Sequence, residues 1–356
     1  MTTDGTCVSG VAAVREPFRF DESRLEDYMR SHVAGFRGPL VVRQFTGGQS
    51  NPTYLLETPD RDYALRRKPP GPVLTSAHAV DREYRVMAAL GAHAAVPVPR
   101  TFALCTDESV IGTAFFIMER VQGRIFWDVA LPEIARDERP AYFDAMNATL
   151  AALHKVDLAD CGLQDYGKPA GYVSRQMRRW TGQYLGEPVA GRVPAMDRLI
   201  EWLNAHIPES SEVALVHGDF RCDNLVFHQR EPRVVAILDW ELSTLGHPLA
   251  DFAYHLMMYD LPAMAIPGLL GKDLRALNVP ARAEYVAAYC RRTGRAGIPS
   301  LNFFLAFNFF RFAAICHGIR GRLARGTAVS ARATEYAAGV ERLAELGLRL
   351  AEEVEG

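Results

Sequence analysis

The residues best able to do chemistry concentrate in HGDFRCDN at positions 217–224. An Asp follows the His by two positions and precedes Asn224 by five, and Asp239 arrives fifteen residues later in ILDW. The runs LVFH and RVVAILDW, joined by QREP, read as a hairpin that projects the residues on either side of it into one place. An Asp, an amide and a second Asp gathered in this way offer hard oxygen ligands to a divalent cation and leave one carboxylate to orient a hydroxyl, which suits phosphoryl transfer. Taken singly the same residues are bland: Asp219 and Asp223 read as turn residues and Asp239 as a strand-end carboxylate.

The elements that must position them fall into two kinds. LVVRQF, TYLLET and YALRRK read as three antiparallel strands separated by the turn-rich TGGQSNP and PDRD. Residues 77–90 place Val80, Tyr84, Met87 and Leu90 at helical spacing, and AFFIME at 114–119 returns to a buried strand, so the first part reads β-β-β-α-β. Beyond Gly123 the pattern is helical, over 140–155, 172–185 and 195–206, interrupted by VALVHGDF and the hairpin. Asp21 or Ser23 is expected to cap a short helix through Leu25 and Met29. Residues 1–20 have no periodicity and are expected to be a flexible tail, followed by a β-rich lobe at 21–122 and a helical lobe at 123–356.

Composition bounds the function classes. A chain of 356 residues, 49% hydrophobic and 23% charged, can bury a core in each of two lobes. Lys plus Arg number 40 against 42 Asp plus Glu, a net charge of -2, so no global field draws the chain to nucleic acid or an anionic membrane. The greasiest stretch, LNFFLAFNFFRFAAIC at 301–316, is broken by Asn302, Asn308 and Arg311 and is shorter than the ~20 apolar residues of a membrane span. It is expected to be a buried helix, with no membrane insertion. The start, MTTDGTCVSGVAAVREP, lacks a basic opening and an apolar core, so a cytoplasmic location is expected. Six scattered cysteines predict neither zinc nor a disulfide framework.

The order of these motifs resembles the aminoglycoside phosphotransferase and choline kinase superfamily, whose lower-lobe signature is H-G-D-x-x-x-x-N followed by I-D-W/F. Within it the chain is most similar to the branch also found fused to acyl-CoA dehydrogenases, through GGQSNPTY, RRKPPG, SAHAVDREYRV and LDWELSTLGHPLADFAY. The resemblance implies an α+β, two-lobed, protein-kinase-like fold, with an antiparallel sheet plus helix in the N-lobe and a mainly helical C-lobe. It also implies a small-molecule kinase that uses ATP (or GTP) and Mg²⁺. Asp219 becomes the carboxylate that acts on the acceptor hydroxyl, Asn224 and Asp239 hold Mg²⁺ on the phosphates, and His217 and Asp251 support the loop. In the upper lobe Gly47, Gly48 and Ser50 of TGGQSN would grip phosphate, although two glycines at a hairpin also read as a plain turn. Strand alternation sets Ala64, Arg66 and Lys68 on one face, so Arg66 stands where the superfamily has Lys, with Lys68 as the alternative and Glu83 as the partner on the following helix. Met118, Glu119 and Val121 would line the adenine.

The resemblance also implies an acceptor that is a small molecule bearing a hydroxyl. Residues 285–334 contain no Asp, Glu or Lys but eight Arg (291, 292, 295, 311, 320, 322, 325, 332) beside the aromatic run LNFFLAFNFF. That favours a hydroxylated acid or acyl derivative over a polycationic aminoglycoside, because guanidinium pairs with anions. The bland alternative is that these arginines meet Asp and Glu elsewhere in the fold. Two other readings stand beside the kinase: a nucleotide-binding, pseudokinase-like partner of acyl-CoA-metabolising enzymes, kept alive by the Arg for Lys exchange, and a metallophosphohydrolase, for which the sequence offers too few clustered ligands.

Overall fold

The computed structural model describes residues 10–46, 51–71, 79–93, 95–264, 266–328 and 332–353. In chain order the first elements are β1 (Val11–Ala12), α1 (Glu22–His32), β2 (Val41–Phe45), β3 (Thr53–Glu57), β4 (Tyr63–Arg67), α2 (Val80–His93), β5 (Thr101–Cys105) and β6 (Phe115–Glu119). Then come α3 (Arg139–His154), α4 (Tyr172–Leu185), α5 (Pro194–Ala205), β7 (Ala214–Val216), β8 (Leu225–Phe227), β9 (Val234–Ile237) and β10 (Thr244–Gly246). The chain closes with α6 (Pro248–Leu256), α7 (Leu274–Leu277), α8 (Arg282–Thr293), α9 (Leu301–Ala324), α10 (Ala333–Ala338) and α11 (Val340–Glu352). The class is α+β, as the motif order implies.

The chain divides into two compact units. The first runs up to Phe126 and also takes Ala159–Leu163 and Asp223–Ser243. Its sheet has the order β1-β2-β3-β4-β6-β5, antiparallel throughout. Period-2 alternation explains how β4 serves two environments. Tyr63 and Leu65 enter an apolar core with Tyr54, Phe115, Ile117 and the α1 residues Leu25 and Met29, while Arg66 reaches Glu83 of α2. Asp21 caps α1 by accepting the Arg24 N–H at 3.1 Å.

Three expectations change here. Residues 10–20 are tied down: β1 pairs with Phe45 and Gln44, the Arg15 N–H donates to Gln44 Oε1 at 3.0 Å, and the Tyr54 hydroxyl donates to the Phe18 carbonyl at 2.9 Å. These partners come from the sheet and the periodicity of the tail cannot announce them; residues 1–9 lie outside the described residues. β5 was not expected, since TFALC is a short edge strand with only Ala103 and Cys105 buried. The division also falls elsewhere than 122/123. The β8–β9 hairpin, with Asn224 and Asp239 at its two ends, groups with the first unit. Gly123 is one cause: its Cα lies so close to the hairpin that a Cβ would stand 2.3 Å from the Phe227 carbonyl oxygen, and Arg124 and Phe227 exchange backbone hydrogen bonds at 2.8 Å.

The second unit comprises Trp127–Leu158, Gln164–Cys222 and the chain from Thr244 onward. β7 pairs with β10, not with the hairpin. α9 packs against α4, α5, α6, α10 and α11, which is why it is apolar on nearly all sides. At 24 residues it is longer than the expected 301–316 segment and meets the length and hydropathy of a membrane span, yet 83% of its most apolar stretch is buried within the protein. The eight arginines mostly meet carboxylates: Arg292 pairs with Asp144, Arg295 with Glu212, Arg320 with Glu341, Arg325 with Glu187 and Arg332 with Glu335. Five of the eight arginines are therefore neutralised by acids that lie outside the acid-free run, four of them distant in sequence.

Candidate active site

In the first unit, Arg66 collects three carboxylates. Its Nε lies 3.0 Å from Glu83, its Nη2 donates to Asp239 at 2.6 Å, and Glu241 stands 3.5 Å from the same nitrogen. Asn51 Nδ2 donates to Glu83 Oε1 at 2.8 Å. Glu83 is only 1% exposed. Burial pushes its carboxyl up to about 7, with Asp239 and Glu241 adding to the rise and Arg66 opposing it. Burial works against the Arg66 charge, but Asp239, Glu83 and Glu241 outweigh it and hold the guanidinium protonated more firmly than usual. Asp239 sits at φ 63, a left-handed conformation uncommon for a residue with a side chain and found preferentially at functional sites.

The other upper-lobe expectations divide. Gly47, Gly48 and Ser50 lie outside the described residues. Lys68 follows the end of β4 and forms no ion pair with a described residue, so Arg66, not Lys68, is the cation that meets Glu83. Met118 is buried in β6. The Glu119 N–H is already committed to the Arg100 carbonyl at 2.7 Å and its Oε2 accepts the Arg100 N–H, so Glu119 has no free amide for a base. Val121, two residues beyond the strand, has a backbone N–H that donates to no described residue.

In the second unit the HGD loop is held from below by Asp251. This carboxylate accepts the His217 N–H at 2.7 Å and the Gly218 N–H at 2.8 Å, with His154 Nε2 at 3.2 Å. Burial would raise the Asp251 carboxyl, but His154 and the loop donors win and keep it below the usual carboxylate range. Gly218 has φ 83, which a side chain would resist, and His217 Nδ1 accepts the Asp219 N–H at 3.2 Å. Asp219 keeps 26% of its side chain exposed and has Arg221 at 3.6 Å; the Tyr254 hydroxyl donates to its Oδ1. Burial and the Asp219 charge both push the Tyr254 hydroxyl well above its ordinary value, so it remains a donor. Arg311 completes the group by donating to the Gly218 carbonyl at 2.7 Å.

Sequence reasoning missed Asn51, Glu241, Tyr254 and Arg311 as members of these clusters. Asn51 and Glu241 lie inside motifs already singled out. Tyr254 shares a helix face with Asp251 at i, i+3, a spacing that points both at one loop. Arg311 stood out in the sequence only as a charge in the apolar run 301–316 and as one of eight arginines of the acid-free stretch, with nothing to tie it to the HGD loop.

As a holder of a divalent cation, the hairpin of the first unit fits. Asn224 and Asp239 are oxygen donors at the two ends of β8–β9, with the Leu238 N–H donating to the Asn224 carbonyl at 2.8 Å. Three carboxylates around one guanidinium leave an excess of negative charge there. Mg²⁺ takes one or two protein oxygens and fills its shell with phosphate and water, so a donor pair such as Asn224 and Asp239 is enough for it.

An antiparallel sheet with two helices, a helical second unit and an HGD loop tied to a helix Asp define a kinase-like phosphotransferase architecture. The chain belongs to the phosphotransferase enzyme family, whose model matches residues 41–304. It is 45% identical to acyl-CoA dehydrogenase family member 11 of Gallus gallus over 96% of this chain and 45% of that protein. Identity to acyl-CoA dehydrogenase family member 10 of Mus musculus is 43%, over 95% of this chain and 32% of the mouse protein. The chain thus spans less than half the length of these curated relatives. A Ralstonia eutropha crystal structure, provisionally described as an aminoglycoside phosphotransferase, superposes with a TM-score of 0.86 at 49% identity, over 94% of this chain and 99% of that one. An aminoglycoside phosphotransferase in ternary complex with ADP and hygromycin B shares the fold, with a TM-score of 0.60 at 16% identity over 92% and 98% of the two chains.

Proposed function

We propose that the chain is an ATP-dependent small-molecule kinase that moves the γ-phosphoryl group to a hydroxyl of a hydroxylated acid or acyl derivative. The observation that carries this reading is the HGD loop, in which Asp251 accepts two backbone amides and so presents Asp219 as a held but partly exposed carboxylate. Asp219 accepts the proton of the acceptor hydroxyl as its oxygen attacks the γ-phosphorus, and the bond to the β,γ-bridging oxygen breaks with its electron pair leaving on ADP. Tyr254 keeps the carboxylate oriented. Arg66, steadied by Glu83, offers a cation to the phosphates, and Met118 and Val121 line the base. Asn224 and Asp239 would hold Mg²⁺, which when bound neutralises charge building on the phosphate oxygens.

The acceptor class is supported by α4, which carries Arg175, Arg178 and Arg179 and no acidic residue. None of the three forms an ion pair with a described residue, and Arg175, Arg179 and Arg311 all act electrostatically on Tyr172 of the same helix. An unpaired positive face disfavours a polycation and favours an anion. The reading further places the chain in the cytoplasm, associated with acyl-CoA-metabolising enzymes, a partner class suggested by the names of its relatives. It includes no nucleic-acid partner and no membrane insertion.

A second reading rests on the 2.6 Å contact of Arg66 with Asp239. A guanidinium already seated on that carboxylate suits a pseudokinase-like protein that binds nucleotide without metal. Calorimetry with ATP separates the two: the kinase binds ATP at least tenfold more tightly with Mg²⁺ than with EDTA and loses that difference in Asp239→Ala. Asp219→Asn is expected to lower transfer by about 10³-fold, in the range of a lost general base, with ATP affinity unchanged. In a screen of kanamycin, choline, homoserine and medium-chain hydroxy acids read by ADP release, turnover of kanamycin alone would refute the acceptor class.

A further inference from the structure

We infer that Arg311 is the residue that recognises the anionic end of the acceptor beside Asp219, a specificity contact that rests on the kinase reading above. Arg311 is 6% exposed and lies in the middle of α9. Its guanidinium is gripped by aromatic faces, 5.1 Å from the Tyr254 ring and 5.8 Å from that of Trp180, and Tyr254 is the same residue that donates to Asp219. Of its donors only Nη2 is used, on the Gly218 carbonyl. Neither Nε nor Nη1 donates to any described residue, and Nε is sealed from solvent.

The position is unusual on electrostatic grounds. Five arginines of the same acid-free stretch end on carboxylates, whereas Arg311, the most deeply placed beside the loop, forms no ion pair with a described residue. The two acids of the loop region are already engaged. Asp251 holds the His217 and Gly218 amides and His154, and Asp219 Oδ1 holds Tyr254. Capping one carbonyl needs a single N–H, which a neutral amide could supply without burying a charge. A buried cation left without a counter-ion is costly unless one arrives, and a guanidinium is built to take a carboxylate or a carbonyl oxygen. Bound next to Gly218, such a group would set the distance between the acidic end of the acceptor and the hydroxyl that faces Asp219. Arg311 thereby selects by charge and by chain length between the two ends.

The test compares medium-chain hydroxy acids with the diols of equal length, in the wild type, Arg311→Met and Arg311→Lys. The wild type is expected to prefer the acid by tenfold or more in kcat/KM. Arg311→Met should lose at least tenfold more on the acid than on the diol, mostly in the KM for the acid, with the KM for ATP unchanged, because loss of the cap on the Gly218 carbonyl lowers both series alike; Arg311→Lys should retain part of the acid preference. Equal losses on acid and diol in both variants would show that Arg311 only caps the loop and overturn the assignment, as would an unchanged acid KM in Arg311→Met. If Arg311→Met does not fold, as judged by circular dichroism, Arg311→Lys decides by the same ratio. Turnover of neither series by the wild type overturns the acceptor class, and this assignment with it, whereas turnover of both with no acid preference overturns this assignment alone.

Discussion

The Arg66 cluster of the first unit and the HGD loop of the second hold their reactive groups by opposite means. Around Arg66, charged side chains restrain one another: three carboxylates share one guanidinium, and Glu83 is pushed up to about 7 by its burial. In the loop, the restraint is a carboxylate on backbone amides. The donors pointed at Asp251 keep its carboxyl below the usual range, and it holds the His217 and Gly218 amides. Charge clusters are rearranged by an incoming ion or phosphate, whereas amide clamps are not. The first arrangement suits a region that must exchange partners, and the second suits a carboxylate that must stay still.

The largest effect that could break this contrast is expected at Asp251. Asp251→Ala strands two buried backbone N–H groups and should destabilise the protein by about 3 kcal/mol, from the desolvation cost of unmade hydrogen bonds, with transfer lost in parallel. If urea titration gave a stability loss within experimental error, the clamp would be unimportant. Next in size is the pH response of Glu83. Its folded carboxyl takes up a proton at a higher pH than in the unfolded chain, so stability should fall by on the order of 2 kcal/mol as pH rises from 5 to 8, and Glu83→Gln should flatten that slope. Asp251 moves the other way: its lowered carboxyl contributes above the ordinary carboxylate range and is lost only in acid, so it adds nothing to the slope between 5 and 8. A Glu83→Gln protein with the wild-type pH profile would remove the distinction between the two regions. The smallest expected effect is that of Tyr254→Phe, which should lower kcat about fivefold through a less restrained Asp219 and leave the KM for ATP alone, since the hydroxyl donates to Asp219 of the loop. A raised KM for ATP would show that the two regions are not separable in this way.

Much of this was legible in the chain itself because its information is local. Alternation in YALRRK placed Arg66 opposite Tyr63 and Leu65, helical spacing gave α2 with Glu83 on it, and the fifteen residues from Asn224 to Asp239 could only be a hairpin. The order of HGDFRCDN, ILDW and GHPLADFAY carried the family and the fold. What the sequence could not supply were pairings across long separations. Whether Arg292, Arg295, Arg320 and Arg325 would face a ligand or a carboxylate depended on Asp144, Glu212, Glu341 and Glu187, and only packing brings most of those acids near. The same is true of Arg311, 93 residues from the Gly218 carbonyl it meets. Periodicity decides which face a side chain takes, because that is a property of the backbone torsions nearby. Which charge it meets there is decided by the tertiary structure, because the strength of an ion pair depends on distance and burial, and neither exists until the chain is folded.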